Sequence, residues 1–166
     1  MKVKRFLALA ALLGSCLAGC TRVRFMVDIA QVSRTEQSGT ISPEWQLTEQ
    51  IVITPGRVTL TRKGRTPDSE VNVGTWEWAV DEAQVRALFA QLQAVDCRSI
   101  KRVEPPELDI GGGTESYRIE YGGDKTFTIS YGGGVTYTDD RSIVEPIDAF
   151  IAGLTFPADA KMQYRH

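Results

Sequence analysis

A seven-residue pattern that occurs twice constrains this chain more than any other of its features. Tyr117-Arg118-Ile119-Glu120-Tyr121-Gly122-Gly123 returns as Phe127-Thr128-Ile129-Ser130-Tyr131-Gly132-Gly133. In both copies aromatic and Ile side chains alternate with polar ones. That is the period of a strand with one buried face, because successive side chains of a strand point to opposite sides. Gly122-Gly123-Asp124-Lys125 between the copies is turn chemistry. The repeat therefore predicts an antiparallel hairpin whose apolar face needs a cover.

Two amphipathic segments can supply the cover. From Asp81 to Asp96, Val85, Leu88, Phe89, Leu92 and Val95 recur at helical spacing, with Asp81 and Gln84 placed as a capping box. From Ser142 to Leu154, Ile143, Ile147, Phe150, Ile151 and Leu154 share one face, with Ser142 and Glu145 as the expected cap and Pro146 limiting the first turn. Further strands are expected at Val23–Ala30, at Trp45–Thr54 and Arg57–Lys63 around Pro55-Gly56, and at Val135–Thr138. Pro-Gly fits a type II turn, whose twist opposes a tight hairpin, so a connection looser than two residues is expected. Val71 and Val73 have one parity and Trp76, Trp78 and Val80 the other, which predicts a strand bulged at Gly74. The polar run from Ser33 to Pro43 reads as a loop. Together these elements predict an α+β fold, mainly an antiparallel sheet with two amphipathic helices packed on its apolar face.

The first 19 residues have a different character. Lys2, Lys4 and Arg5 precede a twelve-residue run of apolar and small residues, Phe6 to Leu17, the charged and apolar regions of a secretory signal peptide. The run is too short to span a bilayer, which takes about 20 apolar residues. It closes on Leu17-Ala18-Gly19-Cys20, which resembles the lipobox of bacterial lipoproteins. The resemblance implies diacylglyceryl transfer to the Cys20 thiol, cleavage before Cys20 and acylation of the new amino group. A rival box, Leu13-Gly14-Ser15-Cys16, would shorten the apolar core and is disfavoured. Several acyl chains on Cys20 would give a durable membrane anchor, since each buried methylene contributes about 0.8 kcal/mol.

The expected organisation is thus a signal peptide at 1–19 and one lipid-anchored domain at 20–166. Thr21, not Asp, follows the cysteine, so the resemblance implies the outer membrane facing the periplasm over the inner membrane. A strand starting at Val23 would leave two or three residues of tether, about 10 Å, and hold the domain close to the membrane surface. Removing the three basic residues of the signal leaves 19 − 3 = 16 Lys and Arg against 21 Asp and Glu. An acidic body of that kind lacks the clustered cations that phosphate backbones require, so nucleic acid is not an expected partner.

Catalytic signals are sparse. The single histidine is His166, which argues against Ser-His-Asp and Cys-His arrangements and against histidine-ligated zinc. Cys97 is the one cysteine of the mature body besides Cys20, and burial at a helix end is its expected role. The glycine runs at 111–113, 122–123 and 132–134 lack the residues of phosphate loops or calcium repeats and read as turns, and Trp76 and Trp78 read as core.

Lys101–Thr114 combines two prolines, three glycines and the carboxylates Glu104, Glu107 and Asp109 in one long loop. Loops of that length are often functional. The three carboxylates are the expected partner-contacting residues, with no catalytic residue, cofactor or metal assigned. The resulting expectation is a non-catalytic envelope lipoprotein that binds a protein partner as an accessory or inhibitor. The alternative is an envelope hydrolase using the carboxylates of the 101–114 loop.

Overall fold

The computed structural model of the chain describes residues 28–107 and 111–164. The strands are β1 (Ile29–Gln37), β2 (Leu47–Thr54), β3 (Arg57–Gly64), β4 (Gly74–Ala79), β5 (Arg102–Val103), β6 (Thr114–Tyr121), β7 (Lys125–Tyr131) and β8 (Thr136–Tyr137). The helices are α1 (Glu82–Gln93) and α2 (Arg141–Ala152). Six strands form an antiparallel sheet in the order β4-β3-β2-β1-β6-β7, while β5 and β8 pair separately. The fold is α+β as expected, and both helices contribute to the core on one face of the sheet. No described helix is long and apolar enough to cross a membrane.

The repeated heptapeptide forms β6 and β7. Tyr117 faces Ile129 and Ile119 faces Phe127 across the ladder, so the apolar members of both copies share one face. Gly123 (φ 75°) and Asp124 (φ 60°) turn the hairpin in the left-handed region, where glycine meets no Cβ penalty and Asp is among the more tolerant residues. On the same face Val32, Ile53, Val58, Leu60, Ile119 and Ile129 are fully buried. Val85, Leu88, Phe89 and Leu92 of α1 and Ile143, Ile147 and Ile151 of α2 close over them. Each such side chain contributes about 1.5–3 kcal/mol through burial.

Several local expectations are corrected. The first strand does not end at Ala30: β1 runs through Gln37 at the centre of the sheet, across residues read as a loop. A bulge between Ile29 and Gln31 places both Ile29 and Val32 on the covered face despite their spacing of three. The Val23–Val27 part of that expectation lies outside the described residues. Thr54 pairs with Arg57, so the β2–β3 connection is two residues and not longer. Pro55 excludes a turn with positive φ at its first central position. Gly56 takes φ 75° at the second, and its carbonyl accepts a bond from Val80 N at 3.1 Å, which steadies the turn.

The Gly74 bulge is replaced by a strand start. β4 begins at Gly74, and Val71 instead bridges to Tyr164 in the C-terminal tail. Asp81 caps α1 by accepting from Ala83 N at 2.8 Å. The cap residue of α2 is Asp140, not Ser142, which lies inside the helix and donates to the Asp139 carbonyl. The expected strand at 135–138 is reduced to β8, which pairs with β5 outside the main sheet.

Candidate functional site

The chain enters the sheet at Ile29, at the end that carries the Pro55-Gly56 and Gly122–Asp124 turns. Towards the other end, the helix side of the sheet changes from apolar to charged. One cross-strand row reads Trp76, Leu60, Ile51, Arg34, Tyr117, Ile129, and the next Gly74, Arg62, Glu49, Glu36, Glu115, Tyr131.

These polar groups are paired. Arg34 Nε donates to Glu115 at 2.6 Å, its Nη2 to Glu36 at 3.2 Å, and Asp148 of α2 lies 3.6 Å away. Tyr117 donates to Asp148 at 2.9 Å and Tyr131 to Asp140 at 2.6 Å, fastening α2 to β6 and β7. Burial works against the Arg34 charge, but the bond and attraction of Glu115, with Asp148 behind it, outweigh burial and raise its pKa. Burial, and then the bonds to Asp148 and Asp140, push the Tyr117 and Tyr131 hydroxyls well above the usual phenol range. Both hydroxyls are therefore fixed donors, and this seam locks a helix onto the sheet.

Beside the seam lies an open groove of about 270 Å³. Its walls come from four separate parts of the chain, one of them Val71 in the β3–β4 connection. Ile41 and Trp45 belong to the β1–β2 connection, with Trp45 closing a single 3₁₀ turn begun at Pro43. Met162 and Tyr164 belong to the tail, and Glu36 and Glu49 come from β1 and β2. Trp45 and Tyr164 meet with ring centroids 5.7 Å apart at an interplanar angle of 53°.

The tail is held in place from below. Arg62, only 4% exposed, bonds Glu49 through Nε at 2.8 Å and Nη2 at 2.6 Å, Asn72 at 2.8 Å and the Ala160 carbonyl at 3.3 Å. Asn72 in turn donates to the carbonyls of Asp159 and Lys161 and accepts from Gln163 N. The Arg62 guanidinium also stacks 5.4 Å from the Trp76 ring, which places Trp76 in the core layer.

Ile41, Trp45, Met162 and Tyr164 are four of the six large apolar side chains that remain exposed among the described residues, the others being Val73 and Val103. Their convergence on one groove is the strongest surface feature of the domain. Single exposed apolar residues are ordinary, whereas four gathered on one groove with carboxylates at its edge are not. No sequence periodicity signals it, because its members come from two connections, two strands and a tail.

Of the carboxylates singled out in the 101–114 loop, Glu104 and Glu107 are not brought into this groove. Glu104 is exposed and pairs with Arg102 at 3.0 Å, Glu107 is exposed, and Asp109 lies outside the described residues. The glycines that end the loop serve packing as well as turning. Thr40 N donates to the Gly111 carbonyl at 2.9 Å, and a Cβ on Gly113 would stand 2.7 Å from the Gln37 carbonyl. This backbone contact supports the segment that carries Ile41. Cys97, expected to be buried, is half-buried, with its Sγ 3.6 Å from the Tyr121 hydroxyl. Cys20 lies outside the described residues. No protein-family model matches this chain, and no curated protein matches it.

Proposed function

We propose that this chain is a lipid-anchored envelope protein whose domain binds another protein, without catalysis, through the groove lined by Trp45 and Tyr164. The observation that carries the proposal is the convergence of four exposed apolar side chains on one groove at the end of β1 remote from where the chain enters. Nine residues of strand rising about 3.3 Å each separate the two ends by roughly 27 Å. An anchor at Cys20, joined to the entry end, would leave the groove facing away from the membrane and open to a periplasmic partner. The lipobox resemblance supports the anchor, and the outer membrane is the proposed location because Thr21 follows the cysteine.

The test is affinity purification of the full-length protein from detergent-solubilised envelopes, with the double variant Trp45→Ala, Tyr164→Ala beside it. The wild type retains a stoichiometric partner and the variant loses it while keeping its melting temperature. A partner retained equally by both would remove the groove from the account.

A further inference from the structure

We infer that the groove takes a basic segment of its protein partner, with a lysine or arginine side chain lying against the aromatic pair and its charge directed to Glu36. The inference rests on the reading of the groove as a docking surface and adds the chemistry of the occupant. Three observations carry it. Among the described residues, those lining the groove include two carboxylates, Glu36 and Glu49, and no lysine or arginine.

The cations paired with these two carboxylates are already shared. Arg62 is committed to Glu49, and Arg34 alone serves Glu36, Glu115 and Asp148, so one guanidinium faces three carboxylates. Glu36 has the weakest hold on Arg34 through hydrogen bonding, 3.2 Å against 2.6 Å for Glu115, and is the more exposed of these two. An incoming cation therefore finds an acidic group with negative charge to spare.

The walls suit the same occupant. The faces of Trp and Tyr carry negative quadrupole density that attracts ammonium and guanidinium groups, Trp most strongly. The aliphatic stem of a lysine or arginine matches Ile41 and Met162 while its head remains at the polar floor. At about 270 Å³ the groove falls just under the roughly 300–1,000 Å³ of small-molecule sites, and it is open, which favours a protruding side chain over an enclosed ligand. A neutral apolar peptide would cover the walls and desolvate Glu36 with only its share of Arg34 to offset the charge.

Photo-cross-linking tests the inference in cells that make the protein naturally. The photoreactive residue p-benzoylphenylalanine replaces Ile41 in the full-length chain, with Thr59 on the opposite face of the sheet as the control position. The expected product is a cross-link from position 41, absent from position 59, whose partner peptide has a lysine or arginine within three residues of the linked atom. Adding Glu36→Lys should lower its yield about ten-fold, as repulsion at a partly desolvated contact would. Trp45→Ala should lower it comparably, so neither result depends on one variant folding well. A specific cross-link to a peptide without basic residues, or one indifferent to Glu36→Lys, would overturn the basic occupant and leave the docking surface standing. A cross-link within this chain or between two copies would replace the partner with self-occupation. No cross-link above the position 59 control would overturn both readings.

Discussion

Replacing Arg62 by alanine removes the cation on which the groove wall depends. Its guanidinium bonds Glu49, Asn72 and the Ala160 carbonyl and lies over Trp76. Truncation leaves the Glu49 carboxylate, largely covered on the sheet, without its partner, and breaking a buried pair in this way costs about 3–5 kcal/mol. Glu49 retains some solvent contact, so the lower half of that range is expected. Near 3 kcal/mol, at about 2–8 °C per kcal/mol for domains of this size range, the melting temperature falls on the order of 10 °C.

The exposed pair Arg57–Glu77, at 2.8 Å, supplies the contrast, because Arg57→Ala should change stability by less than about 1 kcal/mol. Thermal unfolding of the full-length protein in detergent measures both. Hydrogen exchange adds a local readout, since Arg62→Ala should expose the amide of Gln163, which is otherwise bonded to Asn72. Equal, small effects of the two substitutions would refute the view that Arg62 organises the tail.

Three further outcomes are expected. Tyr117, Tyr121 and Tyr131 hold their protons more tightly when folded, chiefly through burial and then through bonds to Asp148, Cys97 and Asp140 respectively. That part of the stability is intact below the unfolded value of about 10 and is lost as pH climbs towards the higher native values, so ultraviolet titration should show these phenols ionising only with alkaline unfolding. Early, reversible ionisation of all five tyrosines would contradict it. Gly113→Ala should destabilise the domain by about 1–3 kcal/mol in urea unfolding, because its Cβ would strike the Gln37 carbonyl, whereas Gly112→Ala, with nothing within 4 Å, should be nearly neutral. Cys97 should react with maleimide more slowly in the folded than in the unfolded protein, given its half-buried thiol beside Tyr121, and equal rates would show that the helix end is open.

The sheet and helices were legible wherever one face was apolar and the other polar, as in the repeated hairpin, α1 and α2. β1 beyond Ala30 was not, because its outward residues Ser33, Thr35 and Gln37 are polar and its inward residues Arg34 and Glu36 are charged. Alternation disappears when both faces are polar, and here the inward charges are matched by Arg34's partners on β6 and α2. The change of parity near Gly74 was visible, but its cause lay in the Val71–Tyr164 bridge, a contact no local pattern encodes. The groove was illegible for the same reason. Trp45, Met162 and Tyr164 carry no shared spacing and acquire meaning only through the Asn72 and Arg62 bonds that bring the tail to β3.

The proposed orientation of the domain depends on the proposed modification of Cys20, because an anchor there would set which end of the sheet meets the membrane. Intact and tandem mass spectrometry of the protein isolated from envelopes measures it directly. The expected mature chain begins at Cys20 with a diacylglyceryl thioether and an acylated amino group, and Cys20→Ala should accumulate the unprocessed chain. A mature chain that starts elsewhere, or an unmodified Cys20 thiol, would contradict it.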